Sequence, residues 1–346
     1  MMLNIILNNI MKRINHKILE VKIKESLIKN GANEFSAMSV SKGLVETSLR
    51  GVDSHGIRLL PHYINALKNG RINGNPKLEI INTFPAFIGL DADNGFGHAA
   101  GFKSMEIGMD LANKYGIAAI SVFNSSHPGA MASFSLKAAR NGFCSFSFTH
   151  ADSLLKSYGG KNSFFGTNPI CFAAPRKNEE PFCVDMAPTF IPWNKVLESK
   201  EKNESLKDNV AVDAEGNPTI NPIEAKALLG IGNYKGFALA SMVEVLCSTL
   251  SGMPFGPHIP SMYGSPIEKS RNLGQFYLVF RNDVNINSDV FNEALKKMSD
   301  EVRAQDTNNP NQPVLMPNDP QINFSKEREK KGIPVMQNIL DLISIE

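Results

Sequence analysis

Apolar residues near the N terminus recur at the spacing of amphipathic helices. The first of these runs ends at Gly31, a residue type that commonly follows the last turn of a helix. Glycine and polar residues interrupt the pattern over 51–58, and Pro61 suits the first turn of the helix that follows. The turn-rich segment NGRINGNP, over 69–76, predicts a domain boundary. Helices are predicted over residues 18–30, 34–50 and 61–68.

After residue 76, short apolar runs alternate with helical periods, which is typical of a chain with mixed α and β elements. Strands are predicted over residues 84–90, 116–123, 144–149, 169–174, 181–185 and 274–280. Helices are predicted over residues 98–114, 130–140, 235–250, 291–304 and 336–343. A charged loop or helix is predicted over 199–209, and a loop rich in asparagine and proline over 306–320. Periodicity alone does not decide between the α/β and α+β classes.

Length and composition are those of a globular chain. The 346 residues suggest about two domains at roughly 150 residues each. An apolar share of 42% with 20% charged residues excludes global disorder. The 36 basic residues exceed the 34 acidic ones by two, so the net charge gives no reason to expect nucleic-acid binding.

Cysteine usage and hydropathy bear on the cellular compartment. The four cysteines stand singly in apolar surroundings, so we expect them to be reduced and mostly buried. Neither they nor the acidic residues cluster as metal ligands, and no metal is expected. The longest apolar stretch, 236–253, is interrupted by Glu244, so no membrane span is expected. The N terminus lacks the charged region of a secretory signal, and the protein is expected to be soluble and cytoplasmic.

Residues 95–100, GFGHAA, match the G-x-G-x-x-A pattern of dinucleotide-binding loops. In the Rossmann fold the first glycine directly follows a strand, and an acidic residue closes the next strand. Here the segment DADN precedes Gly95, and the next predicted strand is followed by Asn124. We interpret the motif as a glycine-rich helix entry, with a phosphate loop as the alternative.

Five polar residues fall within nine positions between two predicted helices: Arg50, Asp53, Ser54, His55 and Arg58. Histidine titrates near neutral pH and can exchange a proton with a reacting oxygen. Arginine offers a fork of donors that matches a carboxylate. These residues are the parts of a site for a 2-hydroxy or 2-keto acid, and the alternative is a polar turn capped by Asp53 or Ser54.

Other candidate residues stand where predicted strands end or a helix begins. Ser126 and His127 follow a buried strand, where they would lie beside a docked ligand or cap the next helix. Asp185 ends an apolar run, so its carboxylate needs a partner, and a histidine is a natural one. Lys235 begins a long apolar helix and would either meet a phosphate or be solvated.

Taken in order, seven segments resemble the malate/L-lactate dehydrogenase family of NAD(P)-dependent oxidoreductases, which lacks the Rossmann fold. That family includes ureidoglycolate, sulfolactate and diketogulonate enzymes and an imino-acid reductase. Each segment is weak alone, but their order and spacing make the combination specific. The segments are LRGVDSHGI at 49–57, SH with a glycine at 126–129, GTNP at 166–169, VDMA at 184–187, VD with GNPT at 212–219, YKG at 234–236 and LG with a phenylalanine at 273–276.

The resemblance implies a mixed α/β fold, with a largely antiparallel sheet in a non-Rossmann cofactor domain and a helical second domain formed by both chain ends. The helical domain is expected over residues 1–75 plus 285–346, and the cofactor-binding and catalytic domain over 76–284. A homodimer is implied, with hydride transfer between NAD or NADP and C2 of a small 2-hydroxy or 2-keto acid. The ten residues before Met11 lie outside the resemblance, so Met11 is an alternative start to Met1.

The resemblance also implies roles for single residues. His55 is expected to be the acid/base at the substrate oxygen, and Asp185 to hold it in the right state. The expected substrate-binding residues are Arg50, Ser54, Arg58 and His127, and either arginine is also a candidate for a cofactor phosphate. The expected cofactor-binding residues are Ser126, His127, Gly166, Thr167, Asn168, Pro169, Met186, Ala187, Lys235, Asn318 and Asp319.

The chain departs from the family pattern at four places, one of which is the turn before Lys235, where Gly230 and Asn233 stand in place of the commoner proline and glycine. Pro188 stands where the family usually has threonine, Pro128 where it has phenylalanine, and 317–319 reads PND in place of Pro-Gly-Glu. Proline removes an amide donor, and asparagine lacks the backbone freedom of glycine. These changes bear on substrate and cofactor choice. A reductase of imino acids or of sugar-derived keto acids, and a non-catalytic dinucleotide-binding protein, remain alternatives.

Overall fold

The computed structural model describes residues 11–345; residues 1–10 and 346, and with them the choice between Met1 and Met11, lie outside it. The described residues form ten α-helices and thirteen strands. The helices are α1 (His16–Lys29), α2 (Glu34–Leu49), α3 (Leu60–Lys68), α4 (Gly97–Tyr115), α5 (Ala132–Arg140), α6 (Trp193–Lys202), α7 (Tyr234–Glu244), α8 (Ser288–Arg303), α9 (Asp319–Lys331) and α10 (Gln337–Leu342).

Seven of the strands form a central sheet. They are β2 (Glu79–Phe84), β3 (Phe87–Asp91), β4 (Ile117–Ser125), β5 (Phe143–Thr149), β8 (Ile170–Ala174), β9 (Phe182–Met186) and β12 (Leu273–Arg281). Their spatial order is β2-β3-β4-β12-β5-β8-β9, and each neighbouring pair is antiparallel except β3 and β4. That parallel pair is joined through α4, since parallel strands need a crossover connection. The sheet is therefore mixed and largely antiparallel, as expected.

Two small sheets complete the strand set. Four short strands pair in the order β10-β11-β6-β7, with β6 and β11 parallel. The other sheet joins the two ends of the described chain, because β1 pairs antiparallel with β13. The strands are β1 (Lys12–Ile14), β6 (Leu155–Lys156), β7 (Ser163–Phe165), β10 (Ala211–Val212), β11 (Ala227–Leu228) and β13 (Ile333–Val335).

Helices from both ends of the described chain pack around one core. Leu19 of α1, Leu44 of α2 and Tyr63 of α3 are fully buried in the same cluster as Leu340 of α10. Helix α8, in contrast, lies against the turn that connects β8 and β9, where Lys177 pairs with Asp289. The shared core agrees with a helical unit built from both ends, while its division at residues 75 and 285 stays a prediction.

The two faces of the central sheet have different covers. Helices α4 and α5 pack on one face, where Met105 and Phe134 meet Tyr277 of β12. The other face carries Phe148 and Phe276, which pack against Val243 of α7 and the π-helical turn that follows it. A row of phenylalanines on this second face remains only half-buried in the single chain.

Four predicted elements differ from the structure. The strand predicted over 84–90 is a hairpin, because Pro85 and its neighbour form the turn between β2 and β3. The helix predicted over 235–250 keeps α-helical geometry only to Glu244 and continues as a π-turn. The charged stretch over 199–209 contains only the end of α6, which begins at Trp193. The loop predicted to Pro320 ends one residue earlier, where α9 begins.

Gly97 of the GFGHAA motif lies at the start of a helix. Helix α4 begins at this residue, which confirms the interpretation as a helix entry. The Gly97 amide donates to Ser126 Oγ at 3.0 Å, and a Cβ at Gly97 would lie 2.2 Å from the carbonyl oxygen of Ser126. The loop around Ser126 therefore occupies the space in which a phosphate would have to bind.

The cysteines and helices agree with the expectations from composition. All four cysteines are free and buried. Between residues 11 and 345, none of the helices combines the length and the apolar character needed to cross a membrane.

Candidate active site

The segment between α2 and α3 places His55 in a short 3₁₀ turn, Asp53–His55, and a second such turn, Ile57–Leu59, follows. Gly56 joins the two turns where no side chain fits, because a Cβ there would lie 2.0 Å from Ser48 Oγ. The same hydroxyl accepts the amide that opens the second turn at 2.9 Å. Gly56 and Ser48 therefore fix the position of His55 just beyond α2.

His55 and His127 form a stacked pair, with ring centroids 5.9 Å apart and ring planes 29° from parallel. The Nδ1 atom of His55 lies 2.9 Å from Ser54 Oγ, and the Nδ1 atom of His127 lies 2.8 Å from the hydroxyl of Tyr63. Within residues 11–345 neither Nε2 atom has a hydrogen-bond partner. Both rings therefore present a free nitrogen to a ligand.

Burial lowers the pKa of both imidazoles below 6.5. The pKa of His127 lies well below that value, because burial acts first and the neighbouring His55 and Arg271 add repulsion to a positive charge. Both rings are therefore neutral near pH 7, each with one N–H donor and one acceptor. A neutral imidazole can accept a proton from an alcohol or hydrogen-bond a carbonyl oxygen.

Asp185 lies at the end of β9, where its Oδ2 atom accepts the amide of Ala132 at 2.8 Å. Partial desolvation of its carboxylate by the packed protein raises its pKa to about 6, although the Ala132 amide and the charge of Arg50 oppose the shift. The carboxylate nevertheless faces an accessible cleft, so a ligand can reach it. The described hydrogen bonds of His55 and Asp185 go to other groups, and their predicted pairing stays a prediction.

A cleft of about 440 Å³ lies beside Asp185, between the end of α2, the start of α5 and the loop before α9. This volume is in the range of small-molecule sites. Its lining is mostly apolar, with Arg50 and Asp185 as its charged groups. The lining residues are Thr47, Arg50, Val52, Ala130, Ala132, Ser133, Cys183, Val184, Asp185, Met186, Leu315, Met316, Pro317, Asn318, Pro320 and Gln321.

The two predicted arginines differ in their surroundings. Arg50 is only 6% exposed, lines the cleft and donates to Oδ1 of Asn318. Asn318 in turn donates to the carbonyl of Pro181 at 2.9 Å. Arg58 is exposed on the second 3₁₀ turn and has no ion-pair partner in the described part of the chain. Of the two arginines, only Arg50 lines the cleft.

The loop before α9 is fastened by its own polar side chains. Asn318 has a φ of +81°, so asparagine here keeps the left-handed conformation that glycine would adopt. The Asp319 carboxylate pairs with Arg303 at 2.7 and 2.8 Å and accepts the Met316 amide at 2.9 Å. The carboxylate of Asp319 thus stabilises the loop, and its expected contact with a cofactor stays a prediction.

Two further residues expected to contact the cofactor use their side chains within the protein. Asn168 is fully buried and donates to the Ala240 carbonyl at 2.9 Å and to Glu244 Oε2 at 2.7 Å. Ser126 is 3% exposed, and its hydroxyl bonds the backbone around Gly95. Both side chains stabilise loops, and their contact with a cofactor stays a prediction.

The remaining residues that are expected to bind the cofactor lie near one end of β8 and β9. Segment 166–169 leads into β8, which pairs with β9 as far as Met186. The carbonyl of Pro188 accepts the amide of Ile231 at 3.0 Å, which brings the start of α7 to the same place. Met186 and Lys235 are both exposed there.

The chemistry of these groups fits a dinucleotide. Lys235 lies in the first turn of α7, and the preceding Asn233 makes no capping hydrogen bond with its side chain. A helix N terminus combined with a lysine favours a phosphate. Met186 also lines the apolar cleft beside Asp185, which offers a flat ring a place next to a carboxylate.

Sequence reasoning missed Tyr63, Arg271 and Arg328. Tyr63 lies inside the helical period of α3, where an aromatic residue indicates core packing. Arg271 is 2% exposed and bonds Asp152, while its Nη1 has no partner in the described residues. Its position just before the LG motif at 273–274 was the one available signal. Arg328 lies in α9, a segment for which the sequence pattern predicted no helix.

Known proteins share both the sequence and this architecture. The chain is 34% identical over 292 residues to a ureidoglycolate dehydrogenase (NAD(+)) of Escherichia coli K12, covering 84% of this chain and 83% of that protein. It is 30% identical over 325 residues to a malate dehydrogenase of Pyrococcus abyssi, covering 91% and 88%. The crystal structure of malate dehydrogenase from Entamoeba histolytica has a TM-score of 0.90 to it, at 25% identity over 97% of both chains.

Together the fold and these relatives define an enzyme, an oxidoreductase of the hydroxy-acid dehydrogenase class. The chain belongs to the malate/L-lactate dehydrogenase family, whose model matches residues 14–344. The resemblance read from seven short segments is thereby confirmed.

Proposed function

We propose that the enzyme transfers a hydride between a nicotinamide cofactor, NAD or NADP, and C2 of a small 2-hydroxy or 2-keto acid. The observation that carries this proposal is the stacked pair of His55 and His127, whose Nε2 atoms make no hydrogen bond within the described residues. The NAD(+) in the name of the E. coli relative and the malate in the names of two others support the cofactor and the substrate class.

The residues that would hold the cofactor are Lys235 for a phosphate and Met186, with Ala187 and the 166–169 backbone, for its flat parts. When bound, the nicotinamide supplies or accepts the hydride. Once a cofactor fills the cleft, its apolar lining would exclude water from the ring, which protects a reactive ring from side reactions. Arg50 provides the positive charge beside the cleft, where a carboxylate of the substrate is a suitable partner.

We assign the acid/base function to His55 and a substrate-binding function to His127. The proton of the substrate hydroxyl passes to Nε2 of neutral His55 in oxidation and returns from it in reduction. The burial that lowers the pKa of His55 favours the neutral base. Asp185 would orient the imidazole or a water beside it once a ligand closes the cleft, and its raised pKa keeps its charge responsive to pH near 6.

The test is a turnover assay with purified enzyme, NADH or NADPH, and a panel of acids. Pyruvate, oxaloacetate, sulfopyruvate, a sugar-derived keto acid and a cyclic imine cover the substrate classes. We expect oxidation of one cofactor with at least one small 2-keto acid. Binding of cofactor without turnover on any member would contradict the proposal, and so would turnover on the cyclic imine alone.

Single variants then assign the proton transfer. His55→Ala is expected to lower kcat by about 10²–10⁴, the usual contribution of a general acid or base. His258→Ala, which changes an exposed histidine outside the pair, is the control and should keep full activity. If His55→Ala keeps its rate while His127→Ala loses it, the two assignments must be exchanged.

We also infer a homodimer that covers the second face of the central sheet. On that face the side chains of Phe84 and Leu250 are 71% and 49% exposed and line a cavity of about 350 Å³, and Val245 of the π-helical turn is 57% exposed. Large apolar surface of this kind marks an interface more often than a free surface. Light scattering after gel filtration should give twice the chain mass, and Leu250→Asp should shift it toward the monomer.

A further inference from the structure

Tyr63 occupies an unusual place beside the histidine pair. It lies on α3, is 0% exposed, and its ring is stacked 6.2 Å from the ring of His127 and meets those of Phe96 and His98 edge-on. Its hydroxyl contacts only His127 among the described residues. A buried tyrosine whose hydroxyl hydrogen-bonds a site histidine has a role in the site in addition to its packing in the core.

The hydroxyl has two acceptors on the same residue. Its oxygen lies 2.8 Å from Nδ1 of His127 and 3.3 Å from the carbonyl oxygen of His127. The amide of Gly129 also points to Nδ1, at 3.4 Å. Since an N–H donor faces Nδ1, the contacts favour a Nδ1 without a proton, which accepts from Tyr63 while Nε2 carries the N–H.

A second arrangement uses the same atoms. When Nδ1 carries the proton, it donates to the oxygen of Tyr63, whose own proton then turns to the carbonyl of His127. In this arrangement Nε2 has a free lone pair. Tyr63 keeps its proton in both arrangements, because burial raises its pKa far above the ordinary value. The imidazole proton moves between its two nitrogens through solvent, and no other bond changes.

We propose that Tyr63 is a positioning residue that selects the tautomer of His127, holding Nε2–H toward the substrate oxygen in the resting enzyme. This rests on the proposed function, in which His127 meets the oxygen at C2. An N–H at that place matches the carbonyl oxygen of a 2-keto acid. The oxygen of a 2-hydroxy acid can accept from the same N–H, so its own proton stays available to Nε2 of His55.

The charges around His127 agree with a neutral partner at Nδ1. The groups that act on this ring electrostatically are His55, His62, His98 and Arg271, and each of them disfavours a positive imidazole. No carboxylate hydrogen-bonds His127 in the described part of the chain. A phenol can serve as donor or acceptor without adding charge, whereas a carboxylate would fix a single state.

The direct test is ¹⁵N NMR of histidine-labelled enzyme without substrate, because the two ring nitrogens report the tautomer separately. The His127 signals are assigned by their loss in His127→Gln. In the wild type at pH 7.5 we expect Nε2 to carry the proton. In Tyr63→Phe we expect the Nδ1–H form to rise to at least one third of the population.

Kinetics supply the second readout. Tyr63→Phe removes one oxygen and keeps the ring packing, but His127 then loses both part of its Nε2–H population and the hydrogen bond that anchors its ring. We therefore expect kcat to fall about 10- to 100-fold, mostly through misplacement of the ring, while KM changes less than about threefold. Tyr277→Phe is the matched control, because it removes another buried hydroxyl, bonded to Gln275, with no contact to a histidine. It should lose thermal stability to a similar extent and retain kcat within threefold.

The outcomes separate this inference from the proposed function. An unchanged His127 tautomer in a folded Tyr63→Phe variant overturns the role of Tyr63, whatever the substrate is. A wild-type enzyme that already carries the proton on Nδ1 overturns it as well. If the tautomer shifts as expected but no acid of the panel turns over, the proposed function fails and the selection of the tautomer by Tyr63 stands.

Discussion

Asp53 and Arg328 form a bidentate ion pair that joins the turn before His55 to helix α9. The two N–O distances are 2.6 and 2.8 Å, and the partners are 275 positions apart in the chain. Arg328 is 9% exposed and also donates to the carbonyl of Ser48. The pair therefore ties the C-terminal part of the described chain to the histidine turn, and it couples the order of α9 to the position of His55.

Asp53→Asn should remove that coupling, because it leaves the guanidinium of Arg328 with an uncharged partner. We expect a loss of about 1–3 kcal/mol in the free energy of unfolding, since removal of one partner leaves a largely buried charge unpaired. kcat/KM should fall about tenfold, equivalent to roughly 1.4 kcal/mol. Glu34→Gln breaks an exposed pair with Lys24 and is the control, with an expected loss of less than about 1 kcal/mol in urea unfolding. Equal losses for the two variants would contradict the special role of the Asp53 pair.

Asp185→Asn is expected to stabilise the enzyme while inactivating it. The surrounding protein raises the pKa of Asp185 to about 6, against 3.8 for an unperturbed group. The folded state therefore binds the proton more tightly than the unfolded state, and this carboxyl lowers stability progressively as the pH rises from about 4 to about 6. Accessible water in the cleft screens part of the effect, so we expect a gain of only about 2 °C in Tm at pH 7.5.

At pH 4 the same comparison should give no gain, because the carboxyl is already protonated in the folded wild type. Asp283→Asn is the control, since Arg281 lowers the pKa of that exposed carboxyl and its loss brings no stabilisation at either pH. Thermal melts of the three proteins at both pH values measure the difference. A gain for Asp185→Asn that is the same at pH 4 and pH 7.5 would rule out the charge as its cause.

Variants of Asn318 test how the chain tolerates asparagine where its family usually has glycine. Its φ of +81° is strained for alanine but not for glycine, and its side chain bridges Arg50 and the carbonyl of Pro181. Asn318→Gly loses the bridge alone, whereas Asn318→Ala also adds backbone strain of about 1–2 kcal/mol. Urea unfolding should therefore rank wild type above Gly and Gly above Ala. Equal stability of the two variants would mean that the loop relaxes out of the left-handed conformation.

Local patterns predicted most elements of the fold well, and the misses have physical causes. Helices α1 to α5 and strands β4, β5, β8 and β12 follow apolar periods, so their bounds agree within about two residues with those expected. Helix α9 carries the sequence DPQINFSKEREKK, whose few apolar side chains leave no stripe to detect. It is held by the ion pairs of Asp319 and Arg328 with distant residues, which no local pattern contains.

The candidate site divides in the same way. His55, His127 and Asp185 were named from the types of residue at turns and strand ends, and the structure brings the two histidines together. Asn168 and Ser126 belong to the same kind of motif, yet their side chains hydrogen-bond backbone groups and, for Asn168, the carboxylate of Glu244. A motif identifies a loop that must keep its shape, whereas the packed structure shows which of its side chains are already bonded within the protein. Tyr63 could not be found from sequence, because its function depends on an atom contributed 64 positions away.

The four cysteines provide a prediction about reactivity. All are buried, and burial raises the pKa of the Cys144, Cys171 and Cys247 thiols. Cys171 and Cys183 lie with their sulfur atoms 3.8 Å apart, as thiols on paired strands. Because the thiolate is the reactive form, we expect less than one equivalent of a disulfide reagent to react within minutes in the native enzyme. In guanidinium chloride all four should react at once. Fast reaction of Cys183 in the native state, with protection by NADH or NADPH, would instead mean that the cleft beside Asp185 opens wider than its lining indicates.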